Sequence, residues 1–319
     1  MDELPRPFFV LAPMDDVTDT VFRQVVYECA PPDLFFTEFV NVDGLQSPGR
    51  VRLMHKLRKS EKDRPIIAQL WGLNPENYYK TTKDLIGMGY DGVDINMGCP
   101  VKTVVKNGAC AALIKNRQLA GEIIEATRQG SNGSLPLSVK TRPGYNEVDL
   151  TWIEFLLSKK LNMLSIHGRT AKQKSIVPAN WDLIGEVAKM RDSLSPSTLI
   201  VGNGDITSKL EGQELAKKYQ LDGVMIGRGV FTDPYLFSDD SHWSEFSRDK
   251  KLSLYQRHIE LFIKTWQNNE RRIETLNKFC KIYINGFDGA KELREVLMKQ
   301  TKATDLLAAL EEAKIKTAY

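Results

Sequence analysis

Short, unbroken hydrophobic runs recur along the first two thirds of the chain. Most are rich in Val, Ile and Phe, and they do not alternate between polar and apolar residues. Continuous runs of this kind are typical of parallel strands that are covered on both faces. We predict eight strands: Phe8–Ala12, Phe35–Val40, Ile66–Trp71, Gly92–Ile95, Leu137–Thr141, Met163–His167, Thr198–Val201 and Gly223–Ile226.

The segments between these strands show helical periodicity. The stretches are Thr18–Cys29, Pro75–Met88, Gln118–Arg128, Thr151–Lys159, Trp181–Arg191 and Leu210–Tyr219. Repeated strand–helix units over this length predict an α/β fold, specifically a (β/α)8 TIM barrel. The alternative is a doubly wound open sheet, which we disfavour because no strand is followed by a complete GxGxxG turn.

The pattern changes after Pro234. A loop-like stretch precedes helical segments at Leu252–Gln267, Arg271–Ile284, Ala290–Thr301 and Thr304–Lys314. We therefore predict two domains, a barrel over residues 1–242 and a small all-helical domain over residues 243–319. Between Arg248 and Lys302 there are 13 basic and 7 acidic residues. This excess favours a polyanionic partner, although charge alone leaves an ordinary solvated surface as the alternative.

Composition narrows the class of protein. The chain has 319 residues, of which 42% are hydrophobic, enough for a sizeable core. No stretch approaches 18 consecutive apolar residues, and the acidic N-terminus does not resemble a signal peptide. The four cysteines form no CxxC pair, which argues against a zinc site or a disulfide scaffold. We expect a cytoplasmic protein that is a monomer, without a metal and without a membrane partner.

Polar side chains follow nearly every predicted strand. In a barrel, functional groups lie at the carboxyl ends of the strands. Those ends carry Asp15, Glu38, Gln69, Asn96, Cys99, Lys140, Arg142, His167, Asn203, Asp205 and Arg228. The last two ends also carry Gly202, Gly204, Gly227 and Gly229, which leave backbone amides accessible. Together with the guanidinium of Arg228, these amides predict a phosphate site.

A single thiol stands where the fourth strand stops. Cys99 lies in the stretch DINMGCPVK, Asp94–Lys102, between Gly98 and Pro100. Pro100 has no N–H and cannot extend a strand ladder, and Gly98 permits close approach of the backbone to a ligand. A packed structural cysteine is the alternative interpretation of this residue alone.

Seven motifs together resemble the tRNA-dihydrouridine synthases and cover the whole predicted barrel in that family's order. They are LAPMDDVTDTVFR (Leu11–Arg23), AQLWG (Ala68–Gly72), DINMGCPVK, SVKTR (Ser138–Arg142), IHGRT (Ile166–Thr170), GNGDI (Gly202–Ile206) and MIGRG (Met225–Gly229). The combination of NxGCPxK with HGRT and GNGD is specific. The basic helical tail, with ELR at Glu292–Arg294, occupies the place of the family's tRNA-recognition domain.

The resemblance implies bound FMN, NADPH as reductant, and reduction of the C5=C6 bond of selected uridines in tRNA. The cofactor-binding residues that it implies are Pro13, Met14, Asp15, Gln69, Lys140, His167, Asn203, Gly204, Asp205, Gly227 and Arg228. Cys99 matches the family's general acid, and Asn96 and Arg142 are expected near the uracil. For the tRNA phosphates we expect Lys278, Lys281 and Arg294, and also Arg271 and Arg272. TEFV at Thr37–Val40 with HGRT favours the bacterial type that acts at position 16.

The implied chemistry suits these residue types. After a hydride reaches C6 of uracil, negative charge develops at C5 and O4, and C5 then requires a proton. A thiol with an unperturbed pKa of about 8.5 is mostly protonated at neutral pH and can donate it. Lys140 would stabilise a reduced anionic flavin, and the uracil would have to be flipped out of its stack.

One segment departs from the family pattern. After GCPxK the family usually has a glycine-rich run, whereas this chain has Asn107–Leu113, with alanines and a second thiol at Cys110. Cys110 could form a disulfide with Cys99 under oxidation, or it could simply be packed.

Two other functions remain as alternatives. Another FMN barrel oxidoreductase would act on a free pyrimidine, as dihydroorotate or dihydropyrimidine dehydrogenases do. An RNA-binding protein with an idle flavin fold would not require Cys99, Lys140 and His167 together.

Overall fold

A parallel sheet forms the centre of the molecule. The computed structural model describes residues 3–267 and 270–315; residues 1–2 and 316–319, at the ends of the two predicted domains, lie outside the described residues. The strands are β1 (Phe8–Leu11), β2 (Phe35–Phe36), β3 (Val40–Asn41), β4 (Ile66–Trp71), β5 (Gly92–Met97), β6 (Leu137–Thr141), β7 (Met163–His167), β8 (Leu199–Asn203) and β9 (Gly223–Ile226).

These strands close into a barrel. The order is β1-β9-β8-β7-β6-β5-β4-β2, all parallel, and β3 also pairs with β4. Val10 bridges Leu34, the residue before β2, and the Leu11 amide donates to the Leu34 carbonyl at 3.2 Å. This contact joins the two ends of the sheet. The predicted (β/α)8 TIM barrel is confirmed, with β2 and β3 together occupying one strand position.

Helices cover the outside of the barrel and form the tail. They are α1 (Thr20–Cys29), α2 (Val42–Leu45), α3 (Pro75–Gly87), α4 (Lys102–Lys106), α5 (Arg117–Ser131), α6 (Leu150–Ser158), α7 (Trp181–Leu194), α8 (Lys209–Tyr219), α9 (Arg248–Thr265), α10 (Glu274–Tyr283), α11 (Ala290–Leu297) and α12 (Ala303–Ile315). Side-chain caps fix several starts, for example Asp19, whose carboxylate accepts from the Phe22 amide at 2.9 Å.

The second predicted strand is wrong as one continuous strand. The run Phe35–Val40 is split into β2 and β3. Between them the Thr37 hydroxyl accepts a hydrogen bond from the Gln69 amide at 3.1 Å and donates to the Glu38 carbonyl at 2.7 Å. The Thr37 amide still donates to the Ile67 carbonyl at 3.0 Å, but the next bond of the ladder goes to a side chain, and the break lies just before Glu38 and Phe39.

The helical tail packs directly on the barrel. Phe22 of α1 stacks on Phe279 of α10 with a centroid distance of 4.6 Å, and Phe279 also contacts His258 of α9. Buried residues of the barrel and the tail belong to one hydrophobic cluster. Within the described residues, no helix has the length and apolar character that crossing a membrane requires.

Candidate active site

Two cavities open where the strands end. The first, here called the Lys140 cavity, has a volume of about 500 Å³. Its lining includes nine residues that the sequence predicted for cofactor binding: Pro13, Met14, Lys140, His167, Asn203, Gly204, Asp205, Gly227 and Arg228. The second, here called the Cys99 pocket, measures about 220 Å³ and includes Cys99, Asp15, Lys56, Phe39 and Trp71. A larger cavity of about 800 Å³, beside Trp266, has none of the predicted site residues in its lining.

Cations outnumber acids among the charged residues that line the Lys140 cavity. Lys140, Arg169 and Arg228 face it, and Asp205 is the one carboxylate among the lining residues that the structure describes. Asp205 pairs with Arg169 and accepts from Arg228 Nη2 at 3.2 Å. Burial acts to raise the pKa of Asp205, but the Ala179 amide and Arg169 outweigh it and lower that pKa. The cavity therefore suits an anionic group.

Lys140 is held at the end of β6 by a neighbouring strand. Its Nζ donates to Asn203 Oδ1 at 3.0 Å, and Asn203 Nδ2 donates to the Met225 carbonyl at 2.8 Å. Burial, together with repulsion from Arg142, lowers the pKa of Lys140 to about 8. The ammonium is thus mostly protonated at neutral pH, although less firmly than a surface lysine.

His167 is a neutral imidazole. Burial lowers its pKa well below the usual value, and Lys140, Arg142, Arg169 and Arg228 lower it further. Arg169 Nη1 lies 3.1 Å from His167 Nε2. A guanidinium can only donate, so Nε2 accepts and the proton of the ring belongs on Nδ1. Arg169 was not assigned from the sequence, where it appeared only as part of HGRT.

Buried amides and an acid connect β4, β5 and β6 beneath the site. Gln69 Nε2 donates to Asp94 Oδ2 at 2.8 Å, and Ser138 Oγ donates to Asp94 Oδ1 at 2.6 Å. Asn96 Nδ2 donates to Gln69 Oε1 at 3.0 Å. Burial raises the pKa of Asp94 to about 7. Sequence reasoning missed Asp94 because it lies inside an apolar run.

The turn that carries Cys99 is fixed by the same network. Asn96 Oδ1 accepts from the amides of Gly98 and Cys99 at 3.1 and 3.0 Å. Burial raises the pKa of Cys99, so the thiol is protonated at neutral pH. Cys110 is buried, Cys99 is half-buried, and both are free thiols. The disulfide between these two residues stays a prediction.

Some predicted residues do not line the cavity expected for them. Gln69 is fully buried and is not among the described residues that line the Lys140 cavity. Asp15 does not line the Lys140 cavity; its carboxylate pairs with Lys56 in the Cys99 pocket. Arg142 is buried, and its guanidinium donates to the carbonyls of Gly98 at 2.8 Å and Thr170 at 3.0 Å. Arg142 therefore braces the Cys99 turn against the loop after β7. Lys56 was not predicted, because nothing in its local sequence marks it.

The basic residues of the tail fall into two groups. Lys278, Lys281 and Arg272 are exposed, whereas Arg294 is half-buried and its Nη1 donates to the Ile284 carbonyl at 2.6 Å. Arg271 does not fit the predicted contact with tRNA phosphate. It is buried and pairs with Glu38 of the barrel, so its charge is already compensated inside the protein.

The fold and the site define a class, the parallel barrels with a positively charged cavity at their strand ends. Solved structures share the fold. A histamine dehydrogenase from Rhizobium sp. 4-9 gives a TM-score of 0.56 at 12% identity, over 79% of this chain and 48% of that one. An old yellow enzyme homologue from Zymomonas mobilis gives 0.50 at 13%, over 72% of this chain and 86% of that one.

Comparison of sequences identifies the family. The model described as dihydrouridine synthase (Dus) matches residues 10–319. A probable tRNA-dihydrouridine synthase of Staphylococcus aureus (strain COL) is 44% identical over 97% of this chain and 94% of the relative. The probable tRNA-dihydrouridine synthase 2 of Bacillus subtilis (strain 168) is 45% identical, with the same coverage. The chain belongs to the dihydrouridine synthase family.

Proposed function

We propose that this protein uses FMN and NADPH to reduce the C5=C6 bond of uridine in tRNA to 5,6-dihydrouridine. The observation that carries the proposal is a protonated thiol, Cys99, in a pocket on the same barrel rim as the cavity that holds Lys140, Arg169 and Arg228. Membership of the family supports the substrate. Position 16, which the sequence favours, stays a prediction, and so does NADPH as the reductant.

The Lys140 cavity fits FMN. Arg228 and Arg169 supply cations for the phosphate, and Gly204 has φ +138, where a Cβ would come within 2.5 Å of the Ala179 Cβ. A Cβ on Gly227 would lie 3.6 Å from Met14 Sδ, facing the cavity wall. Gly204 allows a backbone conformation that a side chain would disrupt, and Gly227 leaves the cavity wall without a side chain, so a phosphate or ribityl chain can approach the backbone. Bound FMN would supply the hydride that reduces the uracil.

Cys99 then donates a proton to C5. Its elevated pKa keeps the sulfur protonated, and Asn96 holds the two amides of the turn that orients it. A general acid needs its proton at the working pH, so burial assists this role, whereas a nucleophilic thiolate would need the opposite shift. Lys140, which lines the cavity, would supply positive charge to a reduced, anionic flavin.

The alternative with a free pyrimidine as substrate shares the cavity but does not use the tail. The exposed Lys278 and Lys281 on α10 favour an RNA substrate, because a small molecule needs no basic surface of this extent. Salt-dependent tRNA binding by the purified protein would distinguish the two. A protein without flavin absorbance at ~450 nm would contradict both.

Cys99→Ala tests the proton donor directly. We expect the flavin spectrum and NADPH oxidation to be retained and dihydrouridine formation, measured by mass spectrometry of tRNA nucleosides, to fall by about 10²–10⁴-fold. Cys110→Ala is the matched control, since it removes the other thiol of the same segment and should leave the rate unchanged. Unchanged turnover in Cys99→Ala would reject the role of the thiol.

A further inference from the structure

One guanidinium of the helical tail is inserted into the barrel rim. Arg271 lies between α9 and α10, and its side chain is only 4% exposed. Nη2 pairs with Glu38 Oε2, Nη1 lies 3.1 Å from Asp16 Oδ1, and Nε lies 3.6 Å from Asp19 Oδ2. All three carboxylates belong to the barrel. The tail therefore contributes the central charge of a cluster that the barrel alone leaves strongly acidic.

The cluster continues into the Cys99 pocket. The other oxygen of Glu38, Oε1, accepts from the Asp16 amide at 2.7 Å and lies 4.0 Å from Lys56 Nζ. Lys56 pairs with Asp15, and both residues line the pocket together with Cys99. A continuous series of contacts thus runs from Arg271 through Glu38 to the wall that faces the thiol.

The carboxylates of this cluster are close enough to repel one another unless a cation lies between them. Carboxylate oxygens of Asp15, Asp16 and Glu38 come within 4.8 Å of one another, and Glu38 is fully buried. Asp16, at the centre of the turn, has φ 55, a left-handed conformation that aspartate adopts more readily than most residues. Removing the guanidinium leaves the buried Glu38 carboxylate with Lys56, 4.0 Å away, as its nearest remaining cation, and takes away the Arg271 contact with Asp16.

We propose that Arg271 is a positioning residue for tRNA reduction. By docking on Glu38, the tail holds the Asp15–Asp16 turn and Lys56 in the positions that the flipped nucleotide needs when it enters the Cys99 pocket. This inference rests on the proposed function. It assigns the tail a second task besides binding tRNA. We expect NADPH to reduce the flavin without using this wall of the pocket, so that only the tRNA half-reaction is sensitive to Arg271.

A second ion pair between tail and barrel offers a matched control. Arg257 of α9 donates to both carboxylate oxygens of Glu28 at 2.9 and 2.8 Å. This pair also joins the two parts, but its side chains are 43% and 23% exposed, and neither residue lines the Cys99 pocket. It should contribute to docking without affecting the pocket.

The experiment compares Arg271→Lys with Arg257→Lys in the full-length, flavin-loaded enzyme. Lysine keeps the charge but cannot span the three carboxylates. Three quantities are measured: flavin reduction by NADPH, the Kd for tRNA, and single-turnover dihydrouridine formation by pre-reduced enzyme at saturating tRNA. We expect Arg271→Lys to slow only the last, by about 10- to 100-fold, and Arg257→Lys to leave all three unchanged.

A normal single-turnover rate in Arg271→Lys overturns the inference. A reduced rate also overturns it if a higher tRNA concentration restores the rate, or if Arg257→Lys shows the same reduction. If Arg271→Lys does not fold, Glu38→Gln replaces it, because the amide oxygen still accepts from the Asp16 amide while the charge is gone. Glu38→Gln should show the same selective loss, and a normal rate overturns the inference. Wild-type enzyme that forms no dihydrouridine overturns the proposed function and this inference together.

Discussion

Asp94 shows how a single buried residue can support the site without touching a ligand. Its two oxygens each accept one hydrogen bond, from Gln69 and from Ser138. The cost of burying a carboxylate raises its pKa to about 7, although these hydrogen bonds and Lys140 oppose the shift. Near neutral pH the acid is therefore only partly ionised. Its negative charge, which favours the ammonium of Lys140, is fully present only when the pH is well above 7.

Asp94→Asn should remove a pH dependence of stability. In the folded wild-type protein Asp94 keeps its proton up to about pH 7, whereas the ordinary pKa of an aspartate is 3.8. The folded state thus binds more protons between pH 4 and 7, and the free energy of unfolding falls by a few kcal/mol as the pH rises through that window. Asparagine should keep the hydrogen bonds of this position. Its Oδ1 can accept from Gln69, and its Nδ2 can donate to the Ser138 hydroxyl, which then donates to the Val93 carbonyl.

Urea unfolding of both proteins at several pH values between 4 and 7.5 measures this difference. The stability of wild type relative to Asp94→Asn should decline across the window and level off above it. Two curves that stay parallel at every pH would contradict the raised pKa of Asp94.

At the scale of elements, the hydrophobic pattern predicted the barrel well because strand burial is a local property of sequence. The strand bounds agree to within about two residues, except where Phe35–Val40 is interrupted. That interruption depends on the Thr37 hydroxyl meeting the Gln69 amide, a contact 32 residues apart in sequence. No periodicity in the run itself records such a partner. The same holds for Lys56, whose importance comes from its contacts with Asp15 and Glu38.

The loop after β8 should tolerate no side chain at Gly204. Its φ of +138 excludes ordinary residues, and a Cβ would meet the Ala179 Cβ at 2.5 Å. Gly204→Ala should therefore displace the loop that carries Asp205 and weaken flavin binding, by about tenfold or more if one phosphate contact is lost. Flavin retention during dialysis and the Kd for FMN measure this effect.

Gly87→Ala is the control for that substitution. Gly87 lies in α3, and a Cβ there would meet nothing within 4 Å. Alanine is the better helix former, so stability should rise by up to about 1 kcal/mol while FMN affinity stays the same. Equal FMN affinity in Gly204→Ala and wild type would show that this loop does not hold the cofactor.

At the scale of the whole molecule, the predicted division at residue 242 does not coincide with a gap in packing. Trp243 is buried, and Phe22 of the barrel stacks on Phe279 of the tail. The sequence indicated four tail helices from their periodicity, but it could not show that Arg271 would pair with Glu38. Arg271 and the exposed Arg272, Lys278 and Lys281 are basic residues close together in the sequence, and nothing in that sequence marks the one that is buried. Only the folded structure shows that Arg271 is buried in an ion pair whereas Lys281 is exposed.

The exposure of Lys281 leads to a prediction for tRNA binding. Lys281 is exposed on α10, one turn beyond Lys278, whose Nζ lies 3.3 Å from the Asp16 carbonyl. Charge reversal at Lys281 therefore alters the surface and spares the contact with the barrel. If Lys281 neutralises one tRNA phosphate, Lys281→Glu should weaken binding and reduce the slope of log K against log salt concentration by about 0.7–0.9.

Lys160→Glu makes the same change of charge at the opposite end of the barrel, where Lys160 is exposed after α6. Because both variants lower the net charge by the same amount, any general electrostatic effect on tRNA should be common to them. A reduced salt slope in Lys281→Glu alone assigns the contact to the tail surface. Equal slopes in the two variants would instead mean that tRNA responds only to the overall charge, and α10 would have no specific contact with it.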